Sequence, residues 1–386
     1  MSNEKAKRNL KKNNFWASIK QDGKMDLTFF FLVMGLLVAG LVMLFSASAP
    51  YASNYHSNSY YFIKRQLMFA IGGVILMIVV SKINYHLIRK LVWIITIAAV
   101  LMLVLVLILP PTKEGFHRWL NLGFIQFQPS EVAKFALVVL LSFLISKNHK
   151  KMHSDFKFQF ILFGIIAIFC GLILAENHLS ATIIVFTIGI VLMVIGGMNL
   201  KLFFGMCGVG VGFVIIAIVT GLISYASDRI AYWRDPWLDP LDKGFQTIQS
   251  LLAIGSGGVM GRGIGQSNQK YLWLPEPQND FIFSVVCEEL GLIGAALIVI
   301  AFALLVWRGF TIALRAHDKF GTLLCIGLTF QVGLQAVLNI LVVTNTIPNT
   351  GISLPFFSYG GTSLVMLLIQ MGIILSISRS SSLEKA

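Results

Sequence analysis

The chain has 386 residues, 56% of them hydrophobic and 12% charged, where an ordinary soluble domain carries roughly 25% charged residues. Thirty Lys and Arg against seventeen Asp and Glu give a formal net charge of +13, and the mean hydropathy is +0.81. These values exclude a soluble globular enzyme, a disordered protein and a nucleic-acid binder, whose basic residues need a solvated face. They leave an all-α, polytopic integral membrane protein.

Hydropathy predicts ten spans near 27–47, 66–81, 91–109, 132–146, 158–175, 179–197, 202–224, 282–307, 320–344 and 363–378. The first run is too long for a cleaved signal segment, although Ser46-Ala47-Ser48-Ala49 resembles a cleavage site. The organisation expected is a basic tail at 1–26, a membrane domain at 27–378 and a short tail at 379–386. With a cytoplasmic N-terminus, the inner segments hold 20 of the 30 Lys and Arg, and the outer segments and outer span ends hold 11 of the 17 acids. That bias follows the positive-inside rule and places both termini in the cytoplasm. All ten prolines fall in outward loops or at outer span ends. Because proline interrupts helices, the shaped, working surface is expected to face outward.

In chain order, the first informative outer segment runs from Arg118-Trp119 to Gln128-Pro129-Ser130-Glu131 and Lys134, with Glu131 and Lys134 at i,i+3 on one helix face. The loop 225–281 is long, and its tryptophans and prolines argue for structure. Within it, Phe245, Ile248, Leu251 and Leu252 recur at helical spacing, as in an interfacial amphipathic helix or an ordinary buried one. The glycine-rich stretch Gly255–Gly265 lacks the context of a nucleotide loop. It reads as a tight turn with close backbone packing, or as a cradle for a pyrophosphate.

Asp280 stands where the aromatic stretch Tyr271–Phe283 enters the eighth span. A carboxylate at the edge of hydrocarbon needs a partner or a task. Three readings stay open: a general base whose pKa is raised by partial desolvation, a helix cap, or an ion ligand. Glu288 and Glu289, deeper in the same span, read as helix–helix hydrogen-bonding groups. The last outer loop, Pro348 to Ser363, sets small hydroxyl residues beside glycines, which suits a headgroup site or a packed re-entrant turn. The four cysteines lie singly in apolar runs, and the histidines show no metal-ligand spacing.

Together these motifs resemble the SEDS family, the polytopic proteins typified by FtsW and RodA. The resemblance spans the first to the tenth run. It rests on four outer blocks in order: Arg118-Trp119 to Lys134; Asp235-Pro236-Trp237 with Gly244-Phe245-Gln246; Gly261 through Asp280-Phe281-Ile282-Phe283 to Glu288-Glu289-Leu290-Gly291; and Thr350-Gly351 to Gly360-Gly361-Thr362-Ser363. Gly265 to Lys270 is more similar to the division and sporulation branch than to the elongation branch. Where many members carry Pro-Asp-x-Gly-Thr, this chain has Glu176-Asn177-His178-Leu179-Ser180-Ala181-Thr182, and Asn279 replaces a common Thr.

The resemblance implies a peptidoglycan glycosyltransferase of the bacterial plasma membrane. It would polymerise lipid II at the outer leaflet, with a class B penicillin-binding protein and other division proteins as partners. Asp280 becomes the expected general base of an inverting transfer. Arg118, Glu131, Lys134, Arg262, Lys270, Glu276, Ser358 and Thr362 are the expected substrate-binding residues, the cations stabilising the departing diphosphate. A divalent cation (Mg or Mn) could share that work, but no metal site is fixed. The competing readings are a lipid II flippase, which predicts polar residues through the depth of the spans, and a non-catalytic division scaffold.

Overall fold

The computed structural model describes residues 23–110, 118–121, 126–199, 201–205, 208, 212, 231–271 and 273–380. Its helices are α1 (Leu27–His56), α2 (Tyr61–Ser81), α3 (His86–Ile108), α4 (Pro129–Lys147), the short α5 (His149–Ser154), α6 (Phe156–Ala175), α7 (Leu179–Ile195), α8 (Phe245–Gly257), α9 (Ile282–Leu314), α10 (Lys319–Val343) and α11 (Gly361–Ser380). Eight of the described helices are long and apolar enough to cross a membrane, and α7 is a shorter apolar helix of 17 residues. The protein is a multi-pass, mostly helical membrane protein. Nine of the ten expected runs are thus helical, and most of the run at 202–224 lies outside the described residues, as do most of the two tails.

Several helix starts follow from local chemistry. Asp26, Asp155 and Asp318 each accept a backbone N–H of the first turn of α1, α6 and α10, satisfying a donor the helix itself leaves orphaned. Pro129 opens α4 at a position where its missing N–H costs nothing. A two-residue antiparallel ladder, Leu120 with Phe127 and Asn121 with Gln126, lies just before α4; it is too short to leave a hydropathy signal.

Burial sorts the bundle into centre and periphery. The most apolar windows of α4, α11 and α10 are 72%, 67% and 61% buried, against 22% for α2 and 28% for α3. α4 therefore stands inside, packed on α3, α7 and α10, while α2 lies along α11 and α1 against α9. Close approach of α2 and α11 depends on Gly372, where a Cβ would come 2.6 Å from the Met77 carbonyl oxygen. One end of the bundle gathers Asp280 and the loops before α4, α7, α9 and α11. The opposite end is tied by Arg308 to Asp26 at 2.8 Å, by the Asp26 N–H to the Ser378 hydroxyl and by the Tyr85 hydroxyl to Asp318 at 2.6 Å.

The structure departs from the sequence reading in four places. Pro50, expected at a span end, sits inside α1, which runs nine residues past the apolar stretch. α9 is broken at Gly291, whose φ of 64° and ψ of −169° are not helical; hydropathy does not sense such a break because the flanking residues stay apolar. α8 packs on α9 through Thr247, Ile248, Ser250, Ala253 and Gly257, while Leu251 and Leu252 of the expected apolar stripe are exposed. Finally, polar groups do reach into the spans: Gln331, Gln335 and Asn339 recur at i, i+4 and i+8 on α10, and all are buried together with Ser142 and Gln370. These are neutral groups, and their depth was not apparent from the placement of charges.

Candidate active site

The segment carrying Asp280 is clamped by three successive backbone carbonyls. The Gln278 oxygen accepts the Tyr359 N–H at 2.8 Å, the Asn279 oxygen accepts the Ser358 hydroxyl at 2.8 Å, and the Asp280 oxygen accepts Asn339 Nδ2 at 2.6 Å. Asn339 also donates to the Ile352 carbonyl at 2.6 Å. Buried Gln66 of α2 completes the frame, donating to the Ser358 carbonyl and accepting the Gly360 N–H. The loop before α11 is thereby bolted to the loop before α9, and ordering both removes conformational freedom around one half-buried carboxylate. Gly351, at φ +69°, closes the approach: a Cβ there would lie 3.1 Å from Asp280 Oδ2.

α9 begins with Phe281 at its N-cap and no side-chain cap bond, so Asp280 precedes the capping position. Ser358, expected to meet substrate, has its hydroxyl committed within the loop pair, donating to Asn279 and accepting the Leu354 N–H at 2.8 Å. Thr362 donates to the Gln126 carbonyl at 3.2 Å and links α11 to the small ladder. Glu276 is exposed, has φ 44° and accepts Asn279 Nδ2 at 2.8 Å.

The glycine-rich turn exchanges backbone bonds with the break in α9. Arg262 and Gly263 N–H groups donate to the Glu288 and Glu289 carbonyls at 3.0 and 2.9 Å, and Leu292 and Ile293 N–H groups donate to the Gly258 and Val259 carbonyls at 2.9 and 3.2 Å. Gly261, at φ +78°, touches the Glu289 carbonyl so closely that a Cβ would overlap it. The close backbone packing expected of this stretch is formed at Gly257 and Gly261. Glu289 joins helices as expected, accepting the hydroxyl of Ser46 on α1, and both Glu288 and Glu289 also hold this loop. Glu288 accepts Ser267 Oγ at 2.5 Å and the Asn268 N–H at 2.9 Å, and faces Arg262 Nε at 3.8 Å. Glu289 accepts Lys270 Nζ at 2.8 Å and the Ser46 hydroxyl at 2.7 Å. Lys270 is only 3% exposed, at the base of a crevice of about 240 Å³ lined by Val42, Phe45, Ile264 and Tyr271.

A second polar cluster lies between α4 and the turn joining α6 to α7. Lys134, 2% exposed, pairs with Glu131 at 2.7 Å, as the i,i+3 spacing suggests. Arg118 donates to the Asn177 carbonyl, and Ser130 Oγ lies 3.3 Å from His178 Nδ1. Burial, with Arg118 and Lys134 nearby, lowers the His178 pKa to about 3 and keeps the ring neutral. Glu176 is fully buried, and neither carboxylate oxygen has a hydrogen-bond partner among the described residues. Burial pushes its pKa up to about 8, with Arg118 acting in the opposite sense. The Ser180 hydroxyl donates to the Thr350 carbonyl, adjoining Gly351 and hence Asp280. Arg118, Glu131 and Lys134 are thus brought to the Asp280 end through one loop contact, whereas Arg262 and Lys270 reach it through α9.

The residues that sequence reasoning missed are the amides. Gln66 and Asn339 lie within apolar runs, and a buried amide in a span is itself a signal of a specific hydrogen-bonding task. Among the described residues no three His, Cys, Asp or Glu side chains gather in a way that could hold a metal ion.

Comparison with known proteins agrees with this architecture. A family model described as "Cell cycle protein", covering FtsW, RodA and SpoVE, matches residues 26–383. Stage V sporulation protein E of Bacillus subtilis is 39% identical over 363 residues, 92% of this chain and 97% of that one. A probable peptidoglycan glycosyltransferase FtsW of Geobacter is 36% identical over 357 residues, 92% and 96% of the two chains. Among solved structures, a chain from work on the structural coordination of polymerization and crosslinking by a peptidoglycan synthase complex superimposes with a TM-score of 0.77 at 28% identity, covering 93% of this chain and 99% of its own length. The rod shape determining protein RodA of Thermus thermophilus gives 0.67 at 25% identity, covering 93% and 98%.

Proposed function

The chain belongs to the cell cycle protein family of FtsW, RodA and SpoVE, and from that membership we propose that it is a peptidoglycan glycosyltransferase polymerising lipid II in cell division. Undecaprenyl diphosphate departs from the anomeric carbon of the donor sugar while the acceptor hydroxyl attacks that carbon with inversion. Asp280 takes the hydroxyl proton, a task that asks for a carboxylate held in one place. The observation that carries this reading is the clamp on carbonyls 278, 279 and 280 together with Gly351, which positions the Asp280 carboxylate at the end of the bundle where the polar clusters gather.

The departing diphosphate needs cationic stabilisation in a low-dielectric setting. Arg118, Lys134, Arg262 and Lys270 are the candidates, with Glu131 and Glu276 as their neighbours. The excess of Lys and Arg on the opposite end supports an outward-facing site in the bacterial plasma membrane with cytoplasmic termini. A class B penicillin-binding protein is the partner that suits a glycan polymerase, since a polymer must then be crosslinked.

The flippase reading gains one observation, the buried amide row on α10. Asn339, however, spends its amide nitrogen on the Asp280 and Ile352 carbonyls, which is a positioning role. Purified protein with its partner and labelled lipid II separates the readings. Asp280→Asn is expected to lower polymerisation by roughly 10²–10⁴-fold with thermal stability unchanged. Polymer formed at the normal rate by that variant removes Asp280 as the base, and lipid movement in proteoliposomes without polymer supports the flippase.

A further inference from the structure

The corner between α1 and α2 has a surface that proton transfer at Asp280 does not use. α1 is 30 residues long, about 45 Å at 1.5 Å per residue, whereas the hydrocarbon core is about 30 Å thick. Tyr55 lies eight residues, about 12 Å along the helix, past the end of the apolar run at residue 47, while the Tyr60 ring stacks on Phe45 within that run at 5.5 Å. Here the chain exposes Asn54, Tyr55, His56, Ser57, Asn58, Tyr60, Lys64 and Arg65. Tyr55 and Tyr60 are 62% and 55% exposed.

These side chains form an ordered array. Tyr51 and Tyr55 rings lie 4.4 Å apart, His56 stacks on Tyr61 at 3.8 Å, and the Arg65 guanidinium covers Tyr61 at 4.3 Å. The array is continuous with the site. Phe62 meets Tyr359 edge-on at 4.9 Å, and the Tyr359 N–H holds the Gln278 carbonyl two residues before Asp280. Gln66, one turn further along α2, is bonded to Ser358 and Gly360. The whole corner is therefore rigidly referenced to the Asp280 segment.

We propose that this corner is a binding platform for the glycan strand as it grows away from the site, a subsite that rests on the polymerase reading above. Flat aromatic faces suit the apolar faces of acetylated amino sugars, and Asn54, His56 and Asn58 offer donors and acceptors for hydroxyl and acetamido groups. Lys64 and Arg65 suit the carboxylates of the attached peptides. A rigid aromatic surface costs little conformational entropy on binding.

The test uses full-length protein in lipid nanodiscs with soluble, uncrosslinked glycan oligomers bearing stem peptides, read by calorimetry. Tyr55→Ala and Tyr60→Ala are each expected to weaken binding about three- to tenfold, and the pair to shorten polymer chains while the initial rate of lipid II consumption stays unchanged. The inactive Asp280→Asn protein should bind the oligomers as wild type does, so the platform is scored even if no polymer is ever made. Unchanged oligomer binding in the double variant overturns the proposal. So does unchanged binding accompanied by a shift in the depth of α1 in the bilayer, which makes the ring cluster a membrane anchor.

Discussion

Replacing Lys270 by Met is the sharpest probe of the loop that runs from α8 to Asp280. In the wild type, Glu289 is 1% exposed and its carboxylate is satisfied by Lys270 at 2.8 Å and Ser46 at 2.7 Å. Lys270→Met leaves that carboxylate buried with only the Ser46 hydroxyl as donor. Removing one partner of a buried ion pair costs about 3–5 kcal/mol, whereas replacing both by apolar residues of similar volume is often neutral. The expectation is a loss of about 3–5 kcal/mol in Lys270→Met, with most of it recovered in the double variant Lys270→Met, Glu289→Leu. Reversible unfolding in mixed micelles measures both. Polymerisation by the double variant then separates two roles. If Lys270 only holds the loop, activity returns with stability; if it also contacts the diphosphate, stability returns and activity does not. A single Lys270→Met variant that loses less than about 1 kcal/mol, the value of an exposed pair, refutes the claim that this pair organises the loop.

Three other expectations follow from the same geometry. Gly261→Ala places a Cβ against the Glu289 carbonyl at φ +78° and should destabilise the protein by about 1–3 kcal/mol, seen as a lower melting temperature and faster proteolysis between α8 and α9. Gly351→Ala, at φ +69° and 3.1 Å from Asp280 Oδ2, should reduce kcat more than it raises KM for lipid II, because it shifts the base and not the lipid-binding surface. Glu176 binds its proton more tightly folded (about 8) than unfolded (about 4.5), so its contribution is full below pH 4.5 and is lost as pH rises toward 8. Glu176→Gln should therefore gain stability relative to wild type across that window, and parallel pH profiles of unfolding for the two proteins would contradict it.

The sequence made several features of the site legible for local reasons. The Glu131–Lys134 pair follows from i,i+3 geometry on one helix face, and the structure forms it at 2.7 Å. Asp280 drew attention because a carboxylate at the start of an apolar run is costly. Its surroundings were less accessible. Ser358 and Thr362 are read from the sequence as substrate contacts, and the structure adds that their hydroxyls donate to the Asn279 and Gln126 carbonyls. Gln66 and Asn339 looked like minor polar interruptions of spans, yet they tie the Asp280 segment in place. Composition reports that such a group needs a partner, without saying where along the chain the partner lies.

What the sequence alone determined is the membrane-spanning helical architecture, because the cost of exposing backbone and charge to hydrocarbon acts on each segment separately and leaves its mark in local composition. What only the tertiary structure decided is the arrangement of the loops at the Asp280 end: the break at Gly291, the capture of the glycine-rich turn by α9, and the meeting of loops from residues 176–180, 276–280 and 350–360. Those contacts join residues tens to hundreds of positions apart, and each exists only because packed helices hold the two partners at hydrogen-bonding distance.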